Sequence, residues 1–242
     1  MTATIEMPDY CRRPGPLSFL MEARTPFQFF SFIHTAPGLL TAPRGDGRPV
    51  VLLPGYLAPE LSMEPLAQYL KFLGYDVYPW GLGTNRGNVD EDIERLGSRV
   101  EDLEQTFGQQ VTLIGWSLGG VVAREVTRLY ADSVREVITL GTPIIGGPKY
   151  TSVGAFYARA RGIDLDRFEE EVHERNSIGF TQPVTSVYSK TDGVVGWRAS
   201  VDVYNAQADN IEVSGSHFGL GVNPKVWTII ARKLAETAEE AA

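Results

Sequence analysis

Val111-Thr112-Leu113-Ile114-Gly115-Trp116-Ser117-Leu118-Gly119-Gly120-Val121-Val122-Ala123-Arg124-Glu125 runs from an apolar stretch into a helix-like one through a serine set between glycines. A strand that turns sharply into a helix through a small-x-Ser-x-small sequence holds its serine in a strained backbone conformation, which close glycine packing on either side permits. The turn pushes the Ser117 hydroxyl out of the end of the sheet. Taken alone, the same five residues from Gly115 to Gly119 suit an ordinary strand-to-helix turn with a capping serine equally well.

Outward from this turn the chain has a regular rhythm. Strand-like runs are predicted at 49–54, 75–80, 110–116, 136–140, 184–189 and 210–213, several almost wholly apolar, as a sheet covered on both faces requires. Helical patterns fall between them at 60–73, 89–107, 118–130 and 224–240, the last opening with Asn223 as N-cap and Pro224 at the first helical position. Strand and helix in alternation predict a doubly wound, mostly parallel sheet flanked by helices. Two helix-like segments, 152–161 and 165–175, interrupt the rhythm without a strand of their own, so 149–180 reads as a short helical lid inserted over one end of the sheet. Leu165, Phe168 and Val172 give the second of these helices one apolar face. Residues 1–47, punctuated by Pro and Gly, read as an N-terminal extension packed on a 48–242 core, with aromatic helical pieces at 17–23 and 27–33.

Composition narrows the function. The 242 residues suit one α/β domain of the larger kind. Lys and Arg total 22 against 30 Asp and Glu, a net charge of −8, and no basic cluster could neutralise a row of phosphates. Nucleic acid is therefore excluded as the expected partner. The acidic runs Asp90-Glu91-Asp92 and Glu169-Glu170-Glu171 read as solvated helix faces. One cysteine, Cys11, rules out an intramolecular disulfide and a cysteine-rich metal site, and with three histidines neither a metal nor an organic cofactor is expected. The N-terminus lacks a basic region followed by an apolar stretch, and no apolar run is long enough to span a bilayer, so a soluble cytoplasmic protein is the expectation.

In open α/β sheets reactive groups gather at the carboxyl ends of strands. After the first predicted strand comes the glycine turn Pro54-Gly55-Tyr56-Leu57; after the third, Ser117; after the fifth, Lys190-Thr191-Asp192-Gly193; after the sixth, Gly215-Ser216-His217-Phe218. A serine, an aspartate and a histidine thus stand at three strand ends in that order. A serine hydroxyl is a poor nucleophile until a base takes its proton during attack. His217 fits that role, with Asp192 holding its tautomer and stabilising the imidazolium. Asp202 and Asp209 are the alternative acids, while His34 precedes the first core strand and His173 lies in the insertion. The N–H groups of Leu118, just after the serine, and of Tyr56, in the glycine turn, are the candidate donors to a developing oxyanion.

With these residues in place the chain resembles the α/β-hydrolase superfamily, and within it the lipase and esterase branch. The resemblance runs from about Arg48 to the last helix. It rests on Pro54-Gly55-Tyr56, where many lipases have His-Gly, on Gly115-Trp116-Ser117-Leu118-Gly119, on Gly141-Thr142-Pro143, on Asp192-Gly193-Val194-Val195 and on Ser216-His217. It implies an α/β-hydrolase fold and a serine carboxylic-ester hydrolase working through Ser117, His217 and Asp192, with a small ester bearing an apolar acyl group as substrate. An acyltransferase or thioesterase on the same triad, or a non-catalytic binding protein of this fold, are the alternatives. Candidate substrate contacts are Trp116, Phe156, Tyr157, Phe168, Ile178 and Phe180. Two features depart from the family pattern: proline stands at position 54, removing a supporting side chain, and the first 47 residues match nothing in the common core.

Overall fold

The computed structural model describes residues 8, 10–25 and 38–239; the predicted aromatic piece at 27–33 and His34 lie outside them. Six strands, β1 (Pro49–Leu53), β2 (Asp76–Pro79), β3 (Val111–Trp116), β4 (Val134–Leu140), β5 (Val184–Tyr188) and β6 (Asp209–Glu212), form one sheet in the order β2-β1-β3-β4-β5-β6. Every neighbouring pair is parallel. The chain steps from β1 outward to the edge strand β2, returns to place β3 on the other side of β1, and then proceeds in one direction. That reversal between β1 and β3 opens a crevice beyond their carboxyl ends, and there the turn after β1 meets Ser117.

The helices among the described residues include α1 (Pro16–Leu20), α2 (Glu64–Leu73), α3 (Val89–Phe107), α4 (Leu118–Leu129), α5 (Gly154–Arg161), α6 (Leu165–Ser177), α7 (His217–Leu220) and α8 (Pro224–Glu239). In the inner strands side chains alternate between two covered faces, which is why β1 and β3 read as nearly continuous apolar runs, while the edge strands β2 and β6 are partly exposed. Val50, Leu52, Ile114, Ile138 and Leu140 pack with Leu66, Leu70 and Leu73 of α2 and with Val226, Trp227 and Ile230 of α8. Val51, Leu53, Leu113 and Val137 pack on the other side with Ile93, Leu96 and Val100 of α3 and Val122 and Val126 of α4. The predicted helix at 60–73 divides into a 3-10 turn, Glu60–Met63, and α2, because Pro65 in the first turn of α2 has no N–H to continue the ladder backwards. At the start of α8 the Asn223 side chain accepts from Lys225 N at 3.0 Å, the capping contact its position called for.

Two acids in the runs read as solvated are buried. Asp92 shares the inward face of α3 with Ile93 and Leu96, and burial followed by the charge of Glu91 raises its carboxyl above the usual range. Glu169 turns inward from α6 to Lys149 and Tyr150. In the N-terminal segment the apolar Leu17, Phe19 and Leu20 are exposed, so packing on the core comes from other residues: Cys11, fully buried against Ile144, Ile145, Val194 and Val195, and Glu22. Among the described residues no helix is long and apolar enough to cross a membrane.

Candidate active site

Ser117 joins β3 to α4 with φ 55° and ψ −122°, a conformation that costs a non-glycine residue about 1–3 kcal/mol. The neighbouring sequence makes it attainable. A Cβ at Gly115 would overlap the Gly119–Gly120 backbone, and one at Gly119 would lie 2.5 Å from the carbonyl oxygens of Leu53 and Pro54. Without side chains at these two positions, α4 can start directly against the ends of β3 and β1. The Ser117 N–H donates to Leu140 O at 2.8 Å, tying the turn to the end of β4.

Asp192 and His217 meet beside that strand end. His217 Nδ1 lies 2.7 Å from Asp192 Oδ2, and both side chains are almost wholly buried. With a carboxylate as acceptor, Nδ1 carries the proton and Nε2 is left as the basic nitrogen. The other carboxylate oxygen, Oδ1, accepts from Val194 N at 2.8 Å and Val195 N at 2.7 Å, so Asp192 is at once the turn-former and the partner of the imidazole. Gly141, with φ 54°, follows β4; a Cβ there would stand 3.0 Å from Asp192 Oδ2 and 3.1 Å from His217 Nδ1. Trp116 Nε1 donates to His217 O at 3.2 Å, linking the end of β3 to the histidine loop. Among the described residues no hydrogen bond joins Ser117 Oγ to the imidazole.

The glycine turn after β1 closes over the serine: a Cβ at Gly55 would be 3.2 Å from Ser117 Cβ. Leu57 in this turn and Ser117 are the non-glycine residues with positive φ among those described. The turn is pinned by Asn85, fully buried, whose Nδ2 donates to Pro54 O at 2.8 Å while its own carbonyl accepts from Leu57 N at 2.7 Å. Asn85 thus holds the main chain of the turn at both Pro54 and Leu57. Tyr56, Ser117 and Leu118 line a cavity of about 450 Å³, which extends along α4 past Val121 to Arg124 and Glu125 and is also lined by Tyr157, whose ring meets that of Tyr56 edge-on with centres 5.2 Å apart, and by Phe168 and Val172. The volume lies within the range of small-molecule sites.

Of the six residues proposed as substrate contacts, Tyr157 and Phe168 line this cavity. The other four point elsewhere. Trp116 is buried in the α2/α8 face of the core, its indole occupied by the His217 carbonyl. Phe156 and Ile178 are 62% and 76% exposed, because each stands on the outward side of its segment. Phe180 lies under the guanidinium groups of Arg124 and Arg128, at 5.2 and 5.6 Å from its ring centre. The alternative acids are engaged as well: Asp209 pairs with Lys233 at 2.9 Å and Asp202 with the buried Arg124 at 2.7 Å. His173 shares a hydrogen bond with Tyr204 OH at 3.0 Å. Burial pushes the Cys11 thiol up to about 11, which leaves it protonated and unreactive at neutral pH.

The sequence matches the alpha/beta hydrolase family over residues 50–236. The chain belongs to that family. No curated protein gives a sequence match. Among solved structures, a monoacylglycerol lipase of Paleococcus ferrophilus superposes with a TM-score of 0.59 at 17% identity, covering 81% of this chain and 97% of the lipase. Lipase BlEst2 of Bacillus licheniformis, in its mature form, gives 0.57 at 16% identity, covering 80% and 94%. Lipase B of Aspergillus fumigatus gives 0.58 at 18% identity, covering 79% of this chain and 54% of that one, so the chain spans about half the length of the fungal protein. At these identities the likeness is one of fold. Two residues that shape this alpha/beta hydrolase site are not among those the sequence singles out. Asn85 sits in a loop of turn-forming residues, and Glu22, whose carboxylate reaches the backbone of both the Asp192 and His217 loops, lies ahead of the matched region.

Proposed function

We propose that the chain is a serine carboxylic-ester hydrolase acting through Ser117, His217 and Asp192. The observation that carries this reading is the buried 2.7 Å contact of Asp192 with His217 Nδ1 beside a strained serine that opens on a cavity. Ser117 Oγ attacks the ester carbonyl as His217 Nε2 takes its proton, and the carbonyl oxygen becomes an oxyanion facing the Tyr56 and Leu118 N–H groups. Neither of these donors has a hydrogen-bond partner among the described residues. Collapse expels the alcohol, which takes the proton from His217 and leaves the acyl group esterified to Ser117. Water then loses a proton to His217, attacks the acyl carbon, and releases the carboxylic acid as Ser117 regains its hydrogen.

The cavity supports an apolar acyl group of limited length. From Ser117 to Arg124 along α4 is about 10 Å at the helical rise, and the lining there changes from Val121 to the charged Arg124 and Glu125. A longer chain would have to displace an ion-paired network, an unfavourable exchange. A panel of p-nitrophenyl esters from acetate to palmitate tests this: kcat/KM is expected to peak near octanoate and fall toward palmitate. No turnover of any ester by folded protein would refute the reading.

Within the 149–180 segment, Phe168 and Val172 of α6 face the cavity across the turn at Gly147. We assign acyl-length preference to this insertion. Phe168→Ala is expected to lower kcat/KM for octanoate by about tenfold more than for acetate, since each buried methylene is worth about 0.8 kcal/mol and the longer chain loses contact with the ring. An equal fall for both esters, or a loss of thermal stability with unchanged kinetics, would make the segment purely structural.

A further inference from the structure

We propose that Glu22, from a segment outside the family match, is a positioning residue that sets the catalytic histidine against its acid. The proposal rests on the ester-hydrolase reading above. Glu22 is 7% exposed, and its carboxylate makes hydrogen bonds with two separate loops. Its Oε1 accepts from Gly193 N at 2.7 Å and from His217 N at 2.8 Å, and its Oε2 accepts from Phe218 N at 3.0 Å. Gly193 immediately follows Asp192. One carboxylate therefore joins the backbone next to the acid to the backbone of the base.

Local structure explains why such a contact is needed. His217 and Phe218 open α7, a single turn from His217 to Leu220, and the first N–H groups of any helix have no partner within it. The Ser216 side chain caps Gly219 N at 3.1 Å and leaves the N–H groups of His217 and Phe218 to another acceptor. Glu22 takes both. A helix this short has no ladder of its own to hold its direction, so the imidazole is aimed by whatever grips its first turn. Charge-assisted bonds from a buried carboxylate are the strong kind for that purpose.

The acid loop is shaped to admit the N-terminal segment. A Cβ at Gly193 would lie 2.9 Å from Glu22 Oε1 and would collide with Ser18 O, and one at Gly196 would collide with Arg12 O. Thr25 Oγ1, hydrogen-bonded to Glu22 O at 2.7 Å, also meets Ser216 Oγ at 2.8 Å, adding a second link to the histidine loop. Through these contacts the geometry of the dyad depends on the extension as well as on the common core.

The test is to measure kcat and KM for p-nitrophenyl butyrate with full-length wild type, Glu22→Gln and Glu22→Ala, expressed per active site titrated with a fluorophosphonate, together with thermal unfolding. Glu22→Gln fills the same volume but presents an amide N–H₂ to one of the backbone donors, and its kcat is expected to fall about tenfold; Glu22→Ala, which leaves all three N–H groups unpaired, is expected to fall about a hundredfold, the size of effect that misplacing a catalytic group brings. KM is expected to stay within about twofold, because Glu22 does not line the cavity. Should Glu22→Ala not fold, Glu22→Gln decides. An unchanged kcat per titrated site, whatever happens to the melting temperature, would overturn the proposal and leave Glu22 a tether for the N-terminal segment. A wild type that neither hydrolyses the ester nor takes the probe would instead overturn the ester-hydrolase reading, before any variant is compared.

Discussion

Ser117→Ala is expected to reduce kcat for ester hydrolysis by about 10⁴-fold or more, equivalent to about 5 kcal/mol of barrier, with little change in stability. On the proposed mechanism the substitution removes the one atom that would form the acyl-enzyme. What would remain is the proposed Tyr56 and Leu118 donors and the cavity, which on this reading would still hold the substrate and polarise its carbonyl. Alanine keeps the Cβ that fits beneath Gly55, and it inherits the same φ of 55°, so the backbone strain is neither added nor relieved. Thermal unfolding should therefore track the wild type within a few degrees. A variant retaining more than a tenth of the wild-type kcat would show that the nucleophile is elsewhere.

The second large effect separates two buried aspartates. Asp192→Asn is expected to cost about 10³–10⁴-fold in kcat with the fold retained, because asparagine can still accept from Val194 N and Val195 N but cannot stabilise an imidazolium. Asp202→Asn is expected to do the reverse. Its carboxylate pairs with Arg124 in an environment where both side chains are essentially inaccessible, and it accepts as well from Tyr204 N at 2.9 Å and Asn205 Nδ2 at 2.7 Å. Breaking one side of such a pair leaves an uncompensated buried guanidinium and costs about 3–5 kcal/mol of stability. Activity per folded molecule should stay near wild type.

The pH dependence follows from the same pair. Burial alone would raise the Asp202 carboxyl, but Arg124 and the hydrogen bonds from Asn205 and Tyr204 outweigh it and hold the group below its usual range. A carboxyl depressed in the folded state contributes stability that is fully present above its unfolded value of about 3.9 and is lost as pH falls through the folded value. Urea unfolding of wild type should therefore show this contribution at pH 7 and its loss in strong acid, and Asp202→Asn should lack it at both. Greater damage to kcat from Asp202→Asn than from Asp192→Asn would move the acid's role to Asp202.

The parts of this molecule that could be read from sequence are those whose causes are local. The inner strands announce themselves because both faces of the sheet are covered there, so β1 and β3 are buried, largely apolar runs, whereas the edge strands β2 and β6 are partly exposed and carry Asp76, Asp209 and Glu212. Ser117 is legible because the conformation it adopts demands small residues within two positions on either side. Asp192 and His217 required only the order of strand ends, which chain topology converts into proximity. Glu22 had no such signal: its acceptor role depends on backbone N–H groups 171 and 195 residues away, and backbone donors leave no trace in side-chain identity. Asn85 was hidden for the same reason, since it too works on the main chain. That Phe156 and Ile178 are exposed was not legible, because a short segment with apolar residues on more than one side does not declare which side is covered. Asp92 and Glu169 stand in charge runs whose average is solvated, while their individual positions on the helix turn inward.

The most direct test of the proposed serine hydrolase is covalent labelling with a fluorophosphonate followed by peptide mapping by mass spectrometry. One adduct per folded chain is expected, on the peptide containing Ser117, and its formation should be lost in Ser117→Ala and slowed by orders of magnitude in His217→Ala. A folded wild-type chain that takes no label, or one labelled at a residue other than Ser117, would contradict the assignment.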